Sequence, residues 1–328
     1  MPGRLSLAVE QGHVALPEGA VLVLGASAGC DLASLDKSDS FVLWRHFSDH
    51  VWLEQQGWTT GLTPKAGYAG AVVFAPRARD LQKAFIKLAR KLTAGPIIVD
   101  GTKTDGIDAL YKLLRNTADV SAAYSKMHGK VFAVKGGGFS DWPDVDPVQS
   151  PDGWWRAPGV FSADGVDKAS AFLAESLPNA LKGDVIDLGA GWGYLTRAVL
   201  EKPAVTRVTL VENDETALQA ARRNIPDARA VFVCRDALNW APDTSADVVV
   251  TNPPFHKGRA ATPELGQGFI RAAARVLKPK GALWLVANRH LPYEKTLDEA
   301  FASQEVVAQN AGFKVIRADR PRPPFKGK

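Results

Sequence analysis

The apolar, β-branched run VVVT at 248–251 ends abruptly at Asn252, Pro253, Pro254 and Phe255, with His256, Lys257 and Arg259 just beyond. A strand stopping there delivers a side-chain amide, stiffened backbone carbonyls and an aromatic ring to one place, because proline fixes its own φ and restricts the residue before it. Such a corner suits a planar amine. The lone pair of an exocyclic amine on a purine is delocalised into the ring, so the nitrogen must pyramidalise before it attacks. Two acceptors at its two N–H groups favour that geometry, most of all in a dry pocket. The side-chain carbonyl of Asn252 and the backbone carbonyl of Pro253 are the candidate acceptors. Phe255 is a platform for a base drawn out of its stack. No strong base is needed beforehand, since the amine becomes acidic once alkylated, and catalysis is then mainly alignment. His256 is either the acceptor of that proton or, as we favour, a substrate contact beside Pro254. Lys257 and Arg259 are placed for phosphates, or form a solvated basic loop.

A second constellation lies upstream. DLGAGWGYL at 187–195 brings the bare Cα atoms and N–H groups of Gly189 and Gly191 close to a ligand. It is a poor dinucleotide fingerprint, because Gly-x-Gly-x-x-Gly needs glycine where Tyr194 stands. Asp187 stands two residues before the first glycine, where a carboxylate repels a pyrophosphate and pairs with a cation. S-adenosylmethionine carries an ammonium and a sulfonium and no phosphate. Glu212 ends the next strand, where an acid takes ribose hydroxyls. Asp236 follows the third strand, positioned either to accept from an adenine amino group or to cap a helix. Ala190, Asn213, Ala237 and Asn252 complete the candidate donor-binding set. Acids at the carboxyl ends of successive strands lie on one rim of a sheet, where such sheets bind ligands.

The elements that must position these residues alternate. Strand patterns at 185–191, 207–214, 230–237, 247–255 and 282–288 are separated by helical spacing at 194–202, 215–224 and 267–277. That alternation predicts a mostly parallel sheet covered on both faces. EVVAQNAGFKVIRAD at 305–319 predicts an antiparallel hairpin at its edge.

The same pattern occurs earlier. VLVLGASAG at 21–29 overlays VIDLGAGWG, AVVFAPR at 71–77 overlays VVVTNPP, FIKLARKLTAGPIIVD at 85–100 overlays FIRAAARVLKPKGALWLV, and GKVFAVKG overlays GFKVIRAD. Landmarks in one order argue for an internal duplication. In the first copy Val23, Ser27, Ala75 and Arg77 stand where the second has Asp187, Gly191, Asn252 and Pro254. The expected architecture is therefore two tandem class I, Rossmann-like α/β folds, each a mostly parallel sheet with an antiparallel edge hairpin, the N-terminal one degenerate. The expected bounds are 1–135 for that platform, 136–159 for a Gly/Pro/Asp-rich linker, 160–318 for the catalytic fold and 319–328 for a basic, proline-rich tail. Trp154 and Trp155 in the linker are expected to staple it to a domain rather than to stack on bases.

Composition sets outer limits. Of 328 residues 46% are hydrophobic and 23% charged, enough for a substantial core. The net charge of +5 and pI near 9.1 fit a polyanionic partner. Cys30 and Cys234 form no spaced pair with each other or cluster with the six histidines, so neither a disulfide framework nor a metal site is expected. No apolar run approaches the roughly 18 residues of a membrane span and no signal-peptide core opens the chain, so the expected compartment is the cytoplasm.

GVFSADGVDKAS at 159–170, DLGAGWG, TNPPFHKG, VANRHLPYEKTLDEAF at 286–301 and NAGFKVIRA at 310–318 together resemble the bacterial ribosomal RNA guanine-N2 methyltransferases of the small-subunit type and their large-subunit relative. The resemblance implies methyl transfer from S-adenosylmethionine to the N2 amine of a guanine in ribosomal RNA, with the RNA or the ribosomal subunit as partner. It places Asn252, Pro253 and Phe255 at the amine, and Asp187, Gly189, Gly191, Glu212 and Asp236 at the donor. Phe161 and Ser162 line the pocket. Trp192 is a departure, since the family often has a small residue there. The corner by itself equally serves adenine N6 or a protein glutamine, and a non-catalytic RNA-binding assembly factor is the alternative outside enzymes. A nicotinamide dehydrogenase is disfavoured by Tyr194 and Asp187.

Overall fold

Two seven-stranded sheets carry the chain, and their strands run in the same order. The computed structural model describes residues 3–254, 256–257, 260–261 and 263–323. By contacts the chain falls into one unit of Met1–Pro147 with Ala157–Gly159 and another of Val148–Arg156 with Val160–Lys328.

In the first unit α1 (Arg4–Glu10) precedes β1 (Val21–Leu24), β2 (Ser40–Leu43), α2 (Phe47–Gln55), β3 (Thr59–Gly61), β4 (Gly70–Phe74), α3 (Arg79–Leu92) and β5 (Ile97–Thr102). Then come α4 (Ile107–Thr117), β6 (Tyr124–Lys126) and β7 (Gly129–Val134). The sheet order is β3-β2-β1-β4-β5-β7-β6, with β7 antiparallel to both neighbours. Every residue of β1 and β4 is buried, as expected of central parallel strands covered on both faces. The helix α3 presents Leu81, Ala84, Phe85, Ile86 and Ala89 to that sheet at helical spacing.

A short antiparallel pair, β8 (Val148–Gln149) and β9 (Trp155–Arg156), opens the second unit. The unit continues with α5 (Lys168–Ser176), β10 (Lys182–Leu188), α6 (Tyr194–Leu200), β11 (Ala204–Glu212), α7 (Glu215–Asn224), β12 (Ala230–Cys234) and β13 (Ala246–Thr251). A backbone pair, β14 (His256–Lys257) with β15 (Ala260–Ala261), leads to α8 (Pro263–Val276), β16 (Leu277–Asn288), α9 (Glu294–Ala300), β17 (Phe301–Gln309) and β18 (Phe313–Pro321). The order β12-β11-β10-β13-β16-β18-β17 repeats that of the first unit strand for strand. The two tandem Rossmann-like folds expected from the sequence are thus present, each with its antiparallel edge hairpin.

Two stretches near the expected boundaries are more ordered than their composition suggests. Within 136–159, the part 148–156 packs with the second unit, where Trp154 and Trp155 staple it as expected. Trp155 exchanges hydrogen bonds with Asn224, and the Trp154 ring lies 4.9 Å from that of Trp192. At the other end β18 continues past 318, with Asp319 opposite Ser303 and Ala282 and Pro321 opposite Phe301. The ladder offers partners to these backbone groups, which outweighs the polar, proline-rich composition there. The hairpin turn is set by Asn310, whose Oδ1 accepts from Gly312 and Phe313 N–H at 2.9 and 2.8 Å.

Among the described residues no helix is long and apolar enough to cross a membrane, and no three metal-ligating side chains gather. Among the described residues of the second unit, one of the buried polar groups without a partner lies in the apolar core. Tyr293 is fully buried, its hydroxyl has no partner among the described residues, and burial pushes its pKa up to about 12. A Cβ added at Gly266 in α8 would lie 1.8 Å from that hydroxyl oxygen. Tyr293→Phe keeps the ring and removes the unpaired group, so urea denaturation is expected to show stability unchanged or raised by about 1 kcal/mol. Gly266→Ala is expected to lower it by about 1–3 kcal/mol through overpacking.

Candidate active site

The ends of β10, β11 and β13 meet at one rim. Asp187, on β10, is fully buried. Its Oδ2 accepts from Thr196 Oγ1 at 2.7 Å, and its Oδ1 is buried with no partner among the described residues. Burial raises its pKa to about 7, and the nearby Glu212 carboxylate adds to the rise while the Thr196 hydrogen bond opposes it. A carboxyl kept dry with one open oxygen is costly unless a cation or a proton completes it.

The chain then turns through Gly189, Gly191 and Gly193 with φ of 73°, 55° and 93°, a left-handed run that side chains other than glycine resist. The missing side chain of Gly191 opens on free space, with no atom within 4 Å of where a Cβ would stand. Ala190 between them is buried. Glu212, at the tip of β11, ties the loop down. Its Oε2 accepts from Gly191 N–H at 2.8 Å, and its Oε1 accepts from Asn213 and Asp214 N–H at 2.8 and 2.9 Å. Desolvation raises its pKa, and these amide donors work against the rise. Three donors leave a carboxylate with lone-pair sites to spare.

Asp236 is used locally. Its Oδ1 accepts from Leu238 N–H at 3.0 Å and its Oδ2 from Asn239 Nδ2 at 2.6 Å, so it shapes the turn after β12, beside the buried Ala237. No helix starts here, so the side chain stabilises a turn rather than capping a helix, and it keeps lone pairs to spare.

At the corner, Asn252 Nδ2 donates to Asp167 Oδ2 at 2.9 Å and to Ser170 Oγ at 2.8 Å. An ionised carboxylate only accepts, so the amide nitrogen must be the atom facing Asp167 and the orientation of the carboxamide is fixed. The Asn252 Oδ1 is left buried with no partner among the described residues. Asp167 is held in turn, as N-cap of α5, by the Ser170 N–H at 2.8 Å. Thr251 Oγ1 donates to Leu188 O at 2.7 Å and locks the end of β13 to the end of β10. Pro253 is buried and Pro254 exposed. Phe161 is exposed, and its carbonyl accepts the indole N–H of Trp192 at 3.0 Å. Phe255 and Arg259 lie outside the described residues, and His256 and Lys257 are described only in their backbone.

The structure thus brings Asp187, Gly189, Ala190, Gly191, Glu212, Asn213 and Asn252 to one rim. Reasoning from sequence had not singled out Thr196, Asp167 and Ser170. Asp167 and Ser170 have the Asx N-cap spacing ahead of a helix, a signal of capping but not of a partner at Asn252. In the first unit, Leu43 pairs with Leu24 as Val211 pairs with Leu188, which puts Trp44 in the place of Glu212.

The residues present fit a cationic methyl donor. A buried acid has an unpartnered oxygen, Gly191 in the glycine loop faces free space, and a second acid stands at the neighbouring strand tip.

Comparison with known proteins agrees. A curated ribosomal RNA small subunit methyltransferase C of Pseudomonas entomophila is 27% identical over 322 residues, covering 92% of this chain and 95% of that protein. A protein of the same description from Cronobacter sakazakii is 36% identical over 188 residues, covering 53% of this chain and 55% of its own. Among solved structures, a T. thermophilus 16S rRNA N2 methyltransferase in complex with AdoMet and guanosine shares the fold, with a TM-score of 0.79 and 24% identity over 97% of this chain and 93% of that one. Residues 154–317 match the family model described as Methyltransferase small domain, and since that is half of the chain, the protein belongs to this family.

Proposed function

We propose that the second unit transfers a methyl group from S-adenosylmethionine to the exocyclic N2 amine of a guanine in small-subunit ribosomal RNA, in the cytoplasm. One observation carries the chemistry: Asn252 is oriented by Asp167 and Ser170 so that its side-chain carbonyl stands ready as an acceptor. The description of the curated relatives and the basic charge of the chain support ribosomal RNA, and the solved relative that holds guanosine supports guanine.

S-adenosylmethionine, when bound, supplies a methyl group activated by sulfonium. Asp187 would hold its ammonium, with the glycine loop letting the backbone approach. Glu212 would accept from its ribose hydroxyls, and Asn213, Asp236 and Ala237 would serve the adenine. Asn252 Oδ1 accepts one N–H of the target amine and the Pro253 carbonyl the other, which localises the nitrogen lone pair toward the methyl group. Phe255 stacks on the base, and Phe161, Pro254, His256, Lys257 and Arg259 contact the RNA. The proton lost after transfer leaves through water or His256. The first unit positions RNA. It has Val23, Trp44 and Ala75 where the second has Asp187, Glu212 and Asn252, so it has no donor chemistry of its own.

Removing the acceptor isolates its role. Asn252→Ala is expected to lower kcat by about 10²–10³, the loss typical of one preorganised hydrogen-bonding group. Donor affinity by calorimetry should change by less than about threefold, under 1 kcal/mol. Undiminished turnover would end the mechanism.

Asp187 makes both stability and donor binding depend on pH. Its folded pKa of about 7 lies above the roughly 3.9 of an unfolded aspartate. The folded state therefore holds the extra proton between these values. The contribution to stability is complete below the lower value and is lost as pH rises through the upper one. Without donor, the denaturation midpoint is expected to fall from pH 5 to pH 8. The ammonium prefers the ionised carboxyl, so donor affinity should rise over the same interval, with a proton released on binding at pH 6. Asp187→Asn should flatten both profiles.

The reaction itself is read by mass spectrometry of ribosomal RNA nucleosides from a deletion strain. Loss of N2-methylguanosine, restored by the purified protein, is the expected result. Loss of N6-methyladenosine instead would reassign the target amine.

A further inference from the structure

Asn224 ends α7, away from the amine corner, and is nine-tenths buried. Its side chain makes three hydrogen bonds. Nδ2 donates to Trp192 O at 2.8 Å, inside the glycine loop, and to Trp155 O at 2.9 Å, in the segment 148–156; Oδ1 accepts Trp155 N–H at 2.8 Å. The two groups joined by this amide are far apart in sequence. One belongs to the loop that faces the donor, the other to a strap with little secondary structure of its own.

Trp192 extends the link. Its indole N–H donates to Phe161 O at 3.0 Å, so the loop is fastened to the segment 160–162 as well. There Ser162 adopts a φ of 56°, a left-handed conformation unusual for serine. The Trp192 ring is 97% buried, with the Arg156 guanidinium 4.6 Å from its centroid and the Trp154 ring 4.9 Å away. Arg156 is itself buried and chelated by both carboxylate oxygens of Asp152 at 2.9 and 2.6 Å. A smaller residue at 192 would provide neither the ring that the strap packs on nor the N–H that holds Phe161.

We infer that Trp192 and Asn224 form a positioning unit that makes the strap 148–156 and the segment 160–162 part of the donor loop's support, so that the donor and the substrate side of the pocket are set together. The inference rests on the proposed methyl-donor site. Neither side chain reaches the reacting atoms. Each acts through backbone groups that would otherwise be free to move, which is how an outer shell tunes a site.

Two variants divide the unit. Asn224→Ala cuts the loop from the strap. It is expected to weaken S-adenosylmethionine binding by about tenfold, the size of one or two net hydrogen bonds, and to speed trypsin cleavage after Arg156. Trp192→Phe keeps an aromatic ring for the strap to pack on, with some loss of contact, and removes the N–H to Phe161. It is expected to leave donor affinity within about twofold while raising KM for the RNA several-fold at unchanged kcat. All measurements use the full chain at a temperature where each variant is folded by circular dichroism. A fall in melting temperature with donor affinity, RNA KM and cleavage rate all at wild-type values would mean a structural role only and would overturn the inference. Wild-type protein that bound no donor would sink the proposed activity. The strap would then still be judged by trypsin, since an Asn224→Ala cleavage rate equal to wild type would reject the link by itself.

Discussion

A carboxamide presents two ends of similar size and opposite hydrogen-bonding character, and the proposed chemistry works only when the oxygen is the end left without a partner. At Asn252 that choice is made by Asp167, an acceptor that tolerates nothing but the NH2 group at 2.9 Å. The two residues are 85 apart in the chain, one capping α5 and the other ending β13. The second fold exists, chemically speaking, to make this pair meet. Parallel strands place the tip of β13 beside the tip of β10, the Thr251 hydroxyl fastens the two, and α5 packs its buried face against the same sheet. A slip of one residue in β13 would reverse every side chain on that strand and turn Asn252 away.

The same rim holds a group the fold alone would not choose. Asp187 is dry, has one hydrogen-bond donor and an open oxygen, and feels the field of Glu212. Such a carboxyl destabilises the ligand-free protein at neutral pH, and a cation at the open oxygen offsets the cost. Glu212 plays a milder part, since backbone amides already surround it and its carboxylate also braces Gly191.

Much of this was legible in the sequence where side-chain type and spacing are local signals. The strand–glycine–helix alternation, repeated in both halves, announced two sheets of one topology, and the acids at strand ends announced a rim. The Asn-Pro-Pro-Phe corner stood out because proline chemistry acts on its immediate neighbours. What stayed hidden depends on pairs distant in the chain. Thr196 and Asn224 fall within stretches of helical spacing and Asp167 carries no signal of its role, because nothing near them in the chain shows the second partner. The glycines and prolines of 136–159 read as a linker stapled by its tryptophans, but the partners of that staple, Asn224 and Trp192, lie in a different segment and leave no local signal. The end of β18 was missed for the complementary reason, a polar sequence held by a ladder already in place.

The first unit shows how separable fold and chemistry are. It keeps the whole strand order while Val23, Trp44 and Ala75, all buried, occupy the places of Asp187, Glu212 and Asn252. Each exchange replaces a polar group that needs a partner with an apolar one that needs only contact, so each removes a desolvation penalty. Burying Trp44 gains apolar area at a strand tip, where the second unit must keep a carboxylate hydrated by amides. A duplicated copy relieved of catalysis would drift in this direction without any change in topology, because the residues that define the sheet are the alternating apolar ones of the strands, and those of the rim are not among them. The polar rim of the second unit is therefore kept against its own folding energetics, and binding a charged ligand is the physical process that makes such a rim worth keeping.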